Sequence, residues 1–132
     1  MTRTLLVSCC ALLASCQSLP DGAKEEMAAR WTCPPERITT VTREDLVAGE
    51  LMAAATTPEP PPEVAADPGR LAYFREEQKT HAEKVADAYS SFVVIEAKGC
   101  DHQQLLACAR KQKVRAGSSS VTCSDLPMPK TK

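Results

Sequence analysis

Cysteine is the residue type in this chain with the most chemistry to offer. There are seven, at positions 9, 10, 16, 33, 100, 108 and 123. A thiol can carry an acyl or alkyl group, close a disulfide, ligate a soft metal or act as a nucleophile. Spacing separates these uses. No Cys-x-x-Cys pair is present, which argues against a thiol-disulfide oxidoreductase, and no Cys-x-x-Cys-His, which argues against covalent haem. Cys100-Asp101-His102 with Cys33, Cys108 and Cys123 lacks the ligand spacing of a zinc knuckle. Gly-x-Ser-x-Gly, His-Glu-x-x-His and a phosphate-cradling glycine loop are all missing. An enzyme would have to draw an acid or base from scattered groups such as Glu96, Asp101 and His102. The expectation is a protein that is not an enzyme, with no metal or cofactor.

Cys16 stands apart because of what precedes it. Arg3 supplies a positive start. An apolar run from Leu5 to Ala14 follows, about half the length of a membrane-spanning helix, and small Ala14 and Ser15 lead into Cys16. A secretory signal suits this pattern better than a transmembrane span. Leu13-Ala14-Ser15-Cys16 resembles the lipobox of bacterial lipoproteins, in which the cysteine thiol receives a diacylglyceryl group and the chain is cut before it. By that resemblance residues 1–15 are a signal peptide and Cys16 is the lipidated first residue of the mature protein. Gln17 after the anchor resembles the pattern for export to the outer membrane of a Gram-negative bacterium. The expected partner is then the membrane, through two or more acyl chains that hold stably where one would not.

Export changes the reading of the other cysteines. Cys9 and Cys10 leave with the signal and Cys16 is taken by lipid, so Cys33, Cys100, Cys108 and Cys123 remain. An even number in an exported chain predicts two disulfides. Three pairings are open. If a hairpin centres between Arg115 and Ala116, Cys108 faces Cys123 within disulfide reach. That favours Cys108–Cys123, with Cys33–Cys100 as the second bridge. Covalent help is needed, because the chain carries one Trp, two Tyr and two Phe against ten prolines.

The elements that must position these residues follow from pattern. Residues 16–22 read as a tether. Asp21 is a candidate cap for a helix over about 22–32, with Ala23, Met27, Ala28 and Trp31 on one face. Cys33-Pro34-Pro35 ends it. Residues 37–42 are β-branched and predict a strand. Residues 45–67, with the run Pro58-Glu59-Pro60-Pro61-Pro62, predict an exposed loop. Asp67-Pro68 predicts the start of a helix over 68–90. Its apolar stripe is interrupted by Gln78 and His81, so packing is expected only at its two ends. Residues 92–97, 104–109 and 119–123 predict three strands, the last at a sheet edge. Residues 126–132 read as a flexible tail. The expected fold class is α+β: a small disulfide-stapled domain over 23–125, with an antiparallel sheet of three to four strands, one N-terminal helix and one longer inserted helix.

Charge is uneven. Residues 16–90 hold 14 acidic and 8 basic side chains, whereas residues 91–132 hold 3 acidic and 7 basic. Arg110, Lys111, Lys113 and Arg115 form a basic cluster that could contact an anionic surface such as lipid, lipopolysaccharide or peptidoglycan. No aromatic interleaves it, which speaks against nucleic acid.

Trp31-Thr32-Cys33-Pro34, Ile38 to Thr42, Val94-Ile95-Glu96-Ala97-Lys98-Gly99-Cys100 and Cys108 also have a joint order. They resemble small bacterial lipoproteins whose signature is a helix, Cys-Pro, a strand, a second strand ending in Gly-Cys-Gly, and a Tyr-x-Cys strand. The similarity covers 23–44 and 92–108. Asp101 stands where the last glycine is usual and Leu106 where an aromatic is usual, and the insertion 45–90 is longer than is common. The resemblance implies architecture more than activity. The expectation is a non-enzymatic envelope lipoprotein that binds an envelope protein or polymer. The alternative is a small envelope inhibitor, such as a lysozyme-inhibitor-like module.

Overall fold

Alternation along one strand sorts the whole molecule. In β2 (Val93–Gly99), Ile95 and Ala97 point to one side of the sheet and Val94 to the other, and each side has its own buried cluster. The computed structural model describes residues 17–112 and 119–129. These form four α-helices and one antiparallel sheet. In chain order they are α1 (Leu19–Trp31), a 3-10 turn (Pro35–Arg37), β1 (Thr39–Thr42), α2 (Ala48–Thr56), α3 (Pro62–Ala65), α4 (Pro68–Ala88), β2, β3 (His102–Gln112) and β4 (Ser119–Leu126). The sheet order is β1-β2-β3-β4. The α+β class with two disulfides is the one expected from sequence.

Helix α1 covers one side. Ala23 and Met27 pack with Ile38, Ile95, Ala97, Leu106 and Cys108. Arg30 bridges Glu26 on its own helix at 2.7 Å and Asp125 on β4, which ties the helix to the sheet edge. The helix starts earlier than Asp21 suggested. Ser18 is the cap, its Oγ accepting from the Asp21 N–H at 3.2 Å. Pro20 fits the first turn, where an N–H has no helical partner. Residues 19–22, read as tether, are therefore the first turn of α1.

On the other side, Ala48 packs with Val94, Leu105, Ala107 and Leu126, bordered by Leu46, Leu51, Met52, Tyr89 and Phe92. This corrects the reading of 45–67 as one Pro-rich loop, because α2 occupies its first half and α3 a single turn near its end. Thr57–Pro61 is the longest stretch there without regular structure. Helix α4 follows its predicted start, with Asp67 Oδ1 accepting from Gly69 and Arg70 at 2.9 and 3.1 Å. Its half-buried stripe of Leu71, Phe74, Gln78, Ala82, Val85 and Tyr89 runs the full length rather than only at the ends. Gln78 belongs to that stripe, and its Oε1 is buried without a hydrogen-bond partner.

β3 is longer than predicted at both ends, β2 and β4 run further at their C-terminal ends, and β1 starts two residues later than predicted. Leu126, expected in the tail, is the last residue of β4 and 2% exposed. It pairs with Leu105, and the facing residues on a ladder share one side of the sheet, so burial of Leu105 draws Leu126 in with it.

Candidate functional site

The C-terminal end of α1 and the β2–β3 turn form a stapled corner. Thr32 takes the left-handed conformation (φ 50°) as the cap of α1, redirecting the chain so that Cys33 turns inward. Cys33 is 3% exposed and bonds to Cys100, 67 residues on. Cys100 and Asp101 both have positive φ, 49° and 64°. Gly99 pairs with His102 around them, so they make a two-residue hairpin loop of the primed type. Asn-Gly usually fills such a loop. Here a cysteine held by its disulfide and an aspartate, which tolerates this region, take those places.

Trp31 and His102 lie two residues outside the bonded cysteines and stack, with ring centroids 4.0 Å apart and 15° between planes. Trp31 keeps 40% of its surface exposed. His102 is the first residue of β3. The corner thus presents an aromatic shelf above a covalent bridge. Sequence reasoning missed this pair. The one available signal was the matching offset of Trp31 and His102 from Cys33 and Cys100.

Glu96 lies on the opposite side of the sheet and is 7% exposed. Its carboxylate accepts from Lys98 Nζ at 2.7 Å, Arg43 Nη1 at 2.6 Å and Gln103 Nε2 at 2.7 Å. Lys98 first, then Arg43, hold its pKa below the ordinary carboxylate value against the cost of burial. Arg43 also grips Asp45 at 2.8 and 2.7 Å and lowers that carboxyl's pKa. Glu96 is therefore an ionised anchor between β1, β2 and β3, a poor state for proton transfer near neutral pH. Glu96 and His102 project from opposite faces, so the sheet separates two of the groups considered as scattered acids or bases.

The basic cluster is described only in part. Arg110 and Lys111 are both exposed on β3. Neighbours on a strand point to opposite faces, so this pair makes no one-sided patch. Lys113, Arg115 and Cys16 lie outside the described residues. All four described cysteines are consumed in Cys33–Cys100 and Cys108–Cys123, which leaves no thiolate among them for a metal. Among the described residues no helix is long and apolar enough to cross a membrane. A shallow apolar hollow of about 350 Å³ lies between α2 and the end of the chain, lined by Leu51, Ala54, Ala55, Pro127, Met128 and Pro129.

Comparison with known proteins finds no family model, no curated protein and no solved structure that matches this chain.

Proposed function

We propose that this chain is a membrane-anchored, non-enzymatic lipoprotein of the cell envelope with a binding or structural role. Its lipid is carried by Cys16, and its address is the outer membrane of a Gram-negative bacterium. The observation that supports this reading most directly is the pairing of Cys33 with Cys100 and of Cys108 with Cys123. Two disulfides that close every described cysteine fit an oxidising compartment. The leader before Cys16 supplies the route there, and the lipobox supplies the attachment. Helix α1 starts at Leu19, so only Gln17 and Ser18 separate Cys16 from it. The domain then sits close to the bilayer.

The test is the intact mass of the protein extracted from its own membrane, before and after reduction. The expected result is a chain starting at Cys16 with added lipid mass, gaining ~4 Da on reduction of two disulfides. A full-length chain without lipid and with free thiols would overturn the reading. Cys16→Ser should also move the protein from the membrane to the soluble fraction.

A further inference from the structure

The described residues include three non-glycine residues with positive φ: Thr32 at 50°, Cys100 at 49° and Asp101 at 64°. All three adjoin one disulfide. Thr32 precedes Cys33, and Asp101 follows Cys100, the bonded partner of Cys33. The left-handed region crowds a β-carbon against the following carbonyl, and only glycine, with asparagine and aspartate behind it, visits it routinely. Cysteine has no such allowance, and a β-branched threonine still less. Strain of this kind persists only where the surroundings impose it, and it gathers at clamps and switches. Here the bond from Cys33 to Cys100 joins both strained segments.

The second bridge is built differently. Cys108 and Cys123 face each other inside the β3–β4 ladder, between the pairs Ala107–Ser124 and Ala109–Thr122. Neither has positive φ, and Cys108 is fully buried. Opening that bond relieves no backbone strain, whereas opening Cys33–Cys100 does. Half-buried Cys100, in a two-residue turn, is also the reachable end of its bridge, since Cys33 is 3% exposed.

We propose that Cys33–Cys100 is a reducible latch on the Trp31–His102 shelf, opened by a dithiol donor of the Cys-x-x-Cys class while Cys108–Cys123 stays closed. The chain is then a substrate of such a donor. One donor thiolate attacks Sγ of Cys100 and forms a mixed disulfide, and Sγ of Cys33 leaves with the bonding pair and takes up a proton. The donor's second thiol attacks the donor sulfur of the mixed disulfide, closes the donor's own disulfide and releases Cys100 as a thiol. Two electrons and two protons pass from the dithiol to the bridge. The turn then relaxes out of the left-handed region, and His102, next to Asp101, leaves the ring of Trp31. The Cys108–Cys123 bond and the β3–β4 ladder hold the sheet in the open form.

The purified full chain, equilibrated with mixtures of reduced and oxidised dithiothreitol and then alkylated, tests this. Trypsin places Cys33 in the peptide Trp31–Arg37 and Cys123 in Ala116–Lys130, so each bridge reports through its own peptide. Half-alkylation of Cys33 is expected at a reduced-to-oxidised ratio at least about tenfold lower than that of Cys123. Trp31 emission should change in step with Cys33, while far-ultraviolet circular dichroism holds until Cys123 reacts. Asp101→Gly gives the turn its left-handed backbone without a β-carbon. About fivefold more reduced dithiothreitol should then be needed to open Cys33–Cys100, with the Cys123 midpoint unmoved. Simultaneous opening of both bridges, an earlier opening of Cys108–Cys123, an unchanged Cys33 midpoint in Asp101→Gly, or Trp31 emission that does not follow Cys33 would each overturn the proposal.

Discussion

Gly49 of α2 lies directly on the backbone of Ala86 in α4. A β-carbon built on Gly49 would fall 2.7 Å from the Ala86 carbonyl oxygen and 2.8 Å from its Cα. The contact is with main chain, which cannot rotate aside, so any larger residue forces the two helices apart. Alanine would raise helix propensity by about 1 kcal/mol, but overpacking costs about 1–3 kcal/mol. Gly49→Ala is expected to lower stability by about 1 kcal/mol net, and Gly49→Val by more, in urea unfolding. A stabilised Gly49→Ala protein would show that the helices can separate freely.

The Cys108–Cys123 bridge closes a loop of 15 residues. Chain-entropy arguments assign such a closure about 3 kcal/mol. Cys108→Ser should therefore reduce unfolding free energy by about 2–4 kcal/mol, read as a lower melting temperature. It also frees Cys123, so Cys108→Ser/Cys123→Ser is the cleaner comparison. An unchanged melting temperature would mean that β3–β4 pairing alone constrains the unfolded chain.

Glu96 sets a pH dependence whose sign can be worked out. Its pKa in the folded state is depressed by Lys98 and Arg43. Its stabilising effect is then complete above the unfolded-state carboxylate value, and is lost as pH falls through the lower, folded-state value. Glu96→Gln removes the charge but keeps the shape. The stability difference between the unmodified protein and Glu96→Gln should be largest at neutral pH and shrink towards strongly acid pH. Chemical denaturation from pH 7 down to about pH 3 would show it. A constant difference would mean that the ion pairs add nothing beyond packing.

Trp31 is the only tryptophan in the chain and reports on the stapled corner. His102→Ala should change its emission and cost about 0.5–1.5 kcal/mol, the range for a stacked aromatic pair. Cys100→Ser should shift the same emission, since it releases the turn that holds His102. Cys108→Ser, at the other bridge, should leave it nearly unchanged in the folded state. Similar spectra for all three variants would dissolve the link between the shelf and the Cys33–Cys100 bridge.

Much of the sheet was legible from sequence because its signals are local. Cys108 faces Cys123 because a hairpin with two short arms leaves few registers, and Asp67-Pro68 starts α4 because cap and proline act within one turn. The misses share a different cause. Asp21 is as good a cap by type as Ser18, and only the position of Pro20 within the first turn separates them. Helix α2 has no side-chain cap, since Val47 precedes it. Gly49 lowers the local helix propensity, although it is the contact point for α4. Leu126 precedes Pro127 and looked like tail, yet its ladder partner Leu105 buries it. The Trp31–His102 stack depends on a disulfide that brings distant residues together, and pattern reading along the chain has no means to register it.

The helical insertion leaves the sheet after Thr42 and returns at Val93, and Arg43 is hydrogen-bonded to Val94 at the point of departure. Both bridges and all four strands lie outside it. The helices between are thus a cassette clipped onto two adjacent strands, which a tight turn could in principle join directly. Such a cassette can be lengthened, shortened or exchanged over generations without disturbing the stapled frame, provided its replacement still shields Val94, Leu105, Ala107 and Leu126 from water.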